Sequence, residues 1–424
     1  MKKFWCLFLI ALFVLGCSAQ PDERIPVLPE ETAASAEATV RAETPDTVEA
    51  ATPAPAITPT PAQEPTQSPT LSPEEKLSAY IEGMTVEEKI GQLCMFGFSG
   101  TKEISREFKK ILRDYSIGSV ILYGQNMSRT NGDGGFAQCR ALADSVRNAS
   151  KSEIPLLIST DVEGGSVTRF HWKKSLLSAR TLGKKNDADL AEEQFARIAE
   201  GLRSAGINTD LAPCLDISES PEDSFLGKRI ISADEDVAAN IGVACIEGLH
   251  RGGCLSIVKH FPGHGATNTD SHETTPKVEK SLDALTRYEL VPFEAALGTA
   301  DGVMTAHILY PKIDGDHIAS QSPAFITGLL RETYGFTGIV VSDDFRMAGL
   351  RKQSALDKAA VQFILAGGDL ILCGANHGYQ KQILSGLYAA VEDGTITEAR
   401  LNESVCRILS AKMRVTDWNP LKTD

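Results

Sequence analysis

From residue 91 to residue 374, short apolar runs alternate with stretches of helical period. The runs are GQLCMFGF (91–98), GSVILY (118–123), PLLIST (155–160), INTDLAP (207–213), LSIVKH (255–260), GVMTAH (302–307), GIVVSD (338–343) and DLILCG (369–374). Each is short and mostly apolar, as expected of a strand covered on both faces. Helical spacing fills the gaps at 105–115, 136–150, 189–206, 234–253, 290–300, 325–335 and 356–368. Buried strands that alternate with helices predict a parallel sheet joined by crossover helices. Eight of them over this length predict a single (β/α)8 TIM barrel of the α/β class. A doubly wound open sheet produces the same local pattern and is the alternative. The chain shows no repeat of fixed period.

A barrel makes a further demand: reactive side chains belong at the C-terminal ends of its strands. Asp161 follows the third run and leads into Glu163-Gly164-Gly165. Asp210 lies inside the fourth run, with Asp216 just beyond it. Lys259 and His260 end the fifth, His307 the sixth, and Asp343-Asp344 the seventh. A charge at the end of a buried strand costs several kcal/mol unless it is paired or used. For any one of these residues a helix cap or a loop ion pair is the simpler role, and it is the expected one for Asp216 and Asp344. The set as a whole points to a site.

The densest stretch is LSIVKHFPGHGATNTDSHETTP, residues 255–276. Pro262, Gly263 and Gly265 break regular structure there and permit a close approach of backbone. Asp270-Ser271-His272 follows. Asp343, ionised at the end of strand seven, is suited to attack an electrophilic carbon. Glycoside hydrolysis usually adds a second carboxyl as acid and base. His272 suits that task, since an imidazole transfers protons both ways near neutral pH. Asp270 would orient the ring and stabilise its cation. Asp161, Arg229, Lys259 and His260 then supply hydrogen bonds to sugar hydroxyls, and the loop 261–275 is expected to close over substrate. His260 and His264 flank a Pro-Gly turn that does not aim both rings at one ion, and no C-x-x-C pair exists. No metal and no cofactor are expected.

DVEGG-x3-R (161–169), KR (228–229), KHFPGHG-x4-DSH (259–272) and SDD (342–344) together resemble the family 3 glycoside hydrolases. More narrowly they resemble the bacterial β-N-acetylglucosaminidases of the NagZ type. The resemblance runs from about Leu77 to Arg414. It implies retention through a covalent glycosyl-aspartate, with Asp343 as nucleophile, His272 as acid/base and Asp270 as its partner. It also implies substrate contacts at Asp161, Arg169, Arg229, Lys259 and His260. Val162, Ser166, Ile230 and Ile231 depart from the commoner residues of the family, at places expected to lie near the sugar.

The N-terminus adds a cellular address. Met1-Lys2-Lys3 precedes an apolar run from Phe4 to Leu15 that ends at Gly16-Cys17. This pattern predicts a signal peptide over 1–17 that resembles a lipobox, with Cys17 lipidated. The protein is then expected outside the cytoplasmic membrane, anchored as a lipoprotein, or secreted if the lipobox is unused. Residues 18–72 hold ten of the 20 prolines, nine acidic residues, two basic ones and no aromatic. Such a stretch predicts a disordered, self-repelling linker ahead of a catalytic domain over 73–424. The net charge is −14, with no basic run, so nucleic acid is not an expected partner. Seven widely spaced cysteines in the domain are expected to be mostly buried free thiols.

These observations predict an exo-acting β-N-acetylglucosaminidase whose partners are GlcNAc-containing glycans and peptidoglycan fragments. A phosphorylase, a β-glucosidase and a non-catalytic sugar-binding lipoprotein are the alternatives.

Overall fold

The computed structural model describes residues 72–128, 134–267 and 269–421. The expected signal peptide over 1–17, Cys17 and the expected linker up to residue 71 lie outside the described residues. Ser72, assigned to the linker from sequence, belongs to the domain. Its hydroxyl accepts from Glu75 N, and the Glu75 carboxylate accepts from Ser72 N, which caps helix Pro73–Glu82.

Eight parallel strands form the centre: β1 (Cys94–Gly97), β2 (Ser119–Ile121), β3 (Leu157–Thr160), β4 (Thr209–Asp210), β5 (Leu255–Phe261), β6 (Gly302–Thr305), β7 (Ile339–Ser342) and β8 (Ile371–Cys373). Each pairs with its chain neighbour, and β8 returns to β1. Between β7 and β8 the ring closes through the Val341–Leu370 bridge, with Ser342 N donating to Leu370 O at 3.0 Å. Closure excludes the open sheet. It also brings every strand's C-terminal end to one rim, since Thr160 pairs with Asp210 and Thr305 with Ser342.

Every strand lies within or overlaps its predicted run. Strand β4 is the shortest. Asn208 takes over ladder positions with its side chain, accepting from Ile158 N at 2.8 Å and donating to Leu156 O at 3.1 Å. Pro213 then has no N–H to offer a further rung. Gly91 and Gln92, placed in the first run from sequence, end helix Val86–Gln92 instead. A Cβ at Gly91 would sit 2.2 Å from Tyr115 O, so only glycine fits against the next unit. The 325–335 helix is a wide π-type helix, Ala324–Thr333. Helices His377–Glu392 and Glu398–Val415, and the small hairpin of Leu309–Tyr310 with Asp314–Ile318, were not expected. Six of the seven domain cysteines are buried, and all seven are free.

The rim opposite the site is tied together by Asp369, which is fully buried. Its carboxylate accepts from Arg331 Nη2 at 2.6 Å, Arg407 Nη1 at 3.0 Å, Ser404 Oγ at 2.7 Å and Val340 N at 2.9 Å. One carboxylate thereby joins β7, the π-type helix and the last helix. Asp369→Ala leaves Arg331 without its anion, and leaves Arg400 and Arg407 with only Glu403. Urea unfolding should show a loss of about 3–5 kcal/mol, the usual cost of breaking a buried pair. The activity of the folded fraction should stay unchanged.

Candidate active site

The site is built around Lys259 at the end of β5, a lysine only 2% exposed. Its ammonium lies 2.8 Å from Asp161 Oδ1 and 2.7 Å from Glu163 Oε1, both on the segment that follows β3. Arg169 Nη2 donates to Asp161 Oδ2 at 2.8 Å. Arg229 clasps Glu163 through Nε and Nη2 at 2.8 and 2.9 Å. Arg169 reaches Asp161 because Gly164 and Gly165 turn the chain back, both at positive φ, and Arg169 itself is left-handed at φ 53°. Burial alone would raise these carboxyls. The Lys259 and Arg169 charges overcome it and bring Asp161 to about 2. Arg229 and Lys259 likewise hold Glu163 well below the usual carboxylate range. Burial lowers the Lys259 ammonium, but its two anions more than offset that.

Next to Lys259, His260 is positioned by Asp216, which is wholly buried. Asp216 Oδ2 lies 2.6 Å from His260 Nδ1, and Oδ1 accepts from His264 N at 2.6 Å. With Nδ1 against a carboxylate, the ring turns its Nε2 toward Arg229 Nη2, 3.4 Å away. The simple cap or loop pair expected of Asp216 is therefore a positioning role. His264 turns elsewhere: its Nε2 meets Ser271 Oγ at 2.7 Å, and burial pushes its pKa down to about 4. The glycines of the motif allow this folding, since a Cβ at Gly265 would lie 1.9 Å from Ile217 O.

Asp343 follows β7. Its Oδ1 accepts from Asp344 N at 2.7 Å, and its other oxygen has no hydrogen-bond partner among the described residues. Burial raises its carboxyl, while His260, His307 and the Asp344 N–H overcome that and lower it, so Asp343 is an anion at neutral pH. His272 sits in a different environment, with its side chain 72% exposed. Its Nδ1 lies 2.8 Å from Asp270 Oδ1, which also accepts from His272 N at 2.8 Å. Its Nε2 has no hydrogen-bond partner among the described residues. The segment carrying this pair is pinned to the turn after β7, where Gly349 N donates to Ser271 O at 2.9 Å and Lys352 Nζ to Glu273 O at 2.8 Å.

Lys259 and its four charged partners, His260, His272 and Asp343 meet in one cleft of about 370 Å³. Asp343 and His272 line it together with each of the five predicted sugar contacts, and Asp270 stands behind His272. Ile121, Leu211, Met304 and Leu372 give the cleft apolar surface. Tyr123 and Arg346 were missed from sequence. Tyr123 donates to Asp344 Oδ2 at 2.8 Å, and Arg346 stacks over the Tyr123 ring at 5.3 Å while pairing with Asp344 at 2.7 Å. Asp344 thus holds a loop ion pair, as expected. Glu163 was noted in its motif without a role. Val162, Ile230 and Ile231 are buried, Ser166 is exposed, and none of these departures lines the cleft.

The cation array gives a pH prediction. The folded pKa of Asp161 is depressed, so its contribution is present above the unfolded value of 3.8 and is lost as pH falls toward about 2. The gap corresponds to about 2 kcal/mol. The stability difference between wild type and Asp161→Asn should be constant above pH 5 and shrink between pH 4 and 2, measured by denaturant unfolding.

A family model described as "Glycosyl hydrolase family 3 N terminal domain" matches residues 85–411. A β-hexosaminidase of Tolumonas auensis is 33% identical over 290 residues, 67% of this chain and 84% of its own length. One from Stenotrophomonas maltophilia is 30% identical over 340 residues, 75% of this chain and 98% of its own. The chain spans only 55% of β-hexosaminidase A from Pseudoalteromonas piscicida, to which it is 30% identical. Among solved structures, a family 3 β-N-acetylglucosaminidase from Paenibacillus sp. aligns with a TM-score of 0.74 and 37% identity, over 78% of this chain and 63% of that one. The chain belongs to glycosyl hydrolase family 3 and is a glycoside hydrolase.

Proposed function

We propose that this enzyme removes terminal β-linked GlcNAc from glycans by double displacement, with Asp343 as nucleophile and the His272–Asp270 pair as acid and base. The observation that carries this reading is the meeting of an anionic Asp343 and a carboxylate-backed His272 in one cleft of about 370 Å³. That volume is near the lower end of ligand pockets and suits a single sugar. An exo-acting enzyme needs no more.

In the first step the free oxygen of Asp343 attacks the anomeric carbon, and the bond to the glycosidic oxygen breaks. His272, as imidazolium, gives its Nε2 proton to that oxygen, and Asp270 stabilises the charged ring before the transfer. Inversion leaves an ester between Asp343 and the sugar. In the second step neutral His272 takes a proton from water, the hydroxyl attacks the anomeric carbon, and Asp343 leaves as a carboxylate. The second inversion restores the starting configuration. Asp161, Arg169, Arg229, Lys259 and His260 hold the sugar hydroxyls throughout.

Relatives named β-hexosaminidase and a similar structure named β-N-acetylglucosaminidase support GlcNAc as the sugar. We extend the reading to cell-wall-derived muropeptides as substrate and to an extracytoplasmic lipoprotein anchored through Cys17. Support for both comes from the charged N-terminus, the apolar run and the long acidic linker.

Asp343→Asn should lower kcat on a chromogenic β-GlcNAc substrate by at least about a thousandfold, since the covalent route is lost. His272→Ala should lower kcat by about 10²–10⁴-fold on a natural disaccharide, and much less when the leaving group needs no proton. NMR of the first-formed sugar should show the β anomer. Faster turnover with added phosphate, yielding a sugar 1-phosphate, would move the assignment to a phosphorylase.

A further inference from the structure

The side of His260 that faces away from the cleft holds a thiol, Cys214, that hydrolysis does not use. Cys214 Sγ, an Asp216 carboxylate oxygen and a His260 ring nitrogen all lie within 4.8 Å of one another. Among the described residues this is the only such group of three metal-ligating side chains. Sγ is 3.2 Å from Asp216 Oδ2, and His260 Nδ1 is 2.6 Å from the same oxygen. The backbone fixes the group firmly. Cys214 bridges to Lys259 beside the end of β5, and Leu215 N donates to Lys259 O at 2.7 Å. Asp216 Oδ1 is held by the His264 amide, which leaves Oδ2 as the oxygen shared by thiol and imidazole.

These three groups have the donor set of a soft divalent site. Around a tetrahedral zinc ion, with bonds of about 2.0–2.3 Å, neighbouring ligand atoms stand roughly 3.3–3.7 Å apart. The thiol and carboxylate are already close to that spacing. The imidazole has to move by about 1 Å, which a small ring rotation supplies. Thiolate and carboxylate together carry two negative charges, so a bound dication is neutralised where burial most requires it. The sulfur favours zinc and similar ions over magnesium or calcium.

We propose that Cys214, Asp216 and His260 form a binding site for Zn²⁺ or a similar thiophilic dication, and that its occupation switches off sugar binding. Binding displaces the thiol proton to solvent. The imidazole proton leaves Nδ1, whose lone pair takes the metal, and the ring is reprotonated at Nε2. One proton is released per ion, and nothing is oxidised or reduced. The effect at the cleft follows from that tautomer change. An Nε2 that accepted hydrogen bonds becomes an N–H donor, facing Arg229 Nη2 at 3.4 Å, where a second donor already stands. His260 then turns from its place, and the sugar loses a contact.

The test uses the full chain with Zn²⁺ and Co²⁺ as probes. In wild type, Zn²⁺ should raise KM for a chromogenic β-GlcNAc substrate. Co²⁺ should give a near-ultraviolet thiolate-to-cobalt band that needs no turnover to observe. Cys214→Val, close in size and outside the cleft, should keep the metal-free kcat/KM, lose the cobalt band and need at least tenfold more Zn²⁺ for the same inhibition. Cys214→Ser, which keeps a hydrogen bond to Asp216, should behave as Cys214→Val does and guards against a misfolded variant. Equal Zn²⁺ sensitivity in both variants would overturn the proposal. So would a cobalt band that survives them, or sensitivity abolished by His272→Ala alone, which would place the ion on the exposed Asp270–His272 pair.

Discussion

A lysine ammonium buried between two carboxylates is the constraint on which this site rests. Lys259 cannot stay charged there unless Asp161 and Glu163 both reach it, and neither carboxylate tolerates burial without Arg169 and Arg229 behind it. Five charges from three stretches of chain must therefore assemble together. That requirement bends the segment after β3 back on itself, draws in the 227–229 turn and fixes the end of β5. His260 and Asp216 are set by the same strand end. The face of the cleft proposed to hold the sugar is thus a by-product of satisfying one buried cation.

The two groups proposed to react have opposite surroundings. Asp343 is flanked by His260 and His307 and accepts from a backbone N–H, so it is held as an anion in a poorly solvated place. His272 stands in solvent with Asp270 behind it, which leaves its Nε2 free to give and take protons. An anchored anion facing a solvated proton carrier is the division of labour that a double displacement needs. The protein enforces it through location, since the two residues arrive from β7 and from the loop after β5.

Much of this was legible in the sequence, because barrel strands are covered on both faces and so stand out as apolar runs. The Lys259, His260, Asp270, His272 and Asp343 cluster was legible for a related reason: a charge ending such a run has few places to go. What stayed hidden depended on distant partners. Asp216 reads as an ordinary loop acid until His260, 44 residues away, meets it at 2.6 Å. Glu163 acquires its meaning from Arg229, 66 residues on. The last two helices were missed because Gln380, Ser404 and Lys412 are buried in them and interrupt the apolar stripe. Strand β4 shrank because Asn208 and Pro213 replace or remove ladder bonds, which an apolar run does not reveal.

The central claim is that Asp343 bonds to the sugar while the rest of the cleft holds it. Trapping tests this most directly. The enzyme would be incubated with a 5-fluoro N-acetylglucosaminyl fluoride, which forms the covalent species quickly and releases it slowly, and then digested and mapped by mass spectrometry. A single sugar on the peptide containing Asp343, absent from Asp343→Asn, is the predicted result. A sugar on Asp161, Asp344 or any other carboxylate, or steady turnover with no adduct at all, would contradict the account.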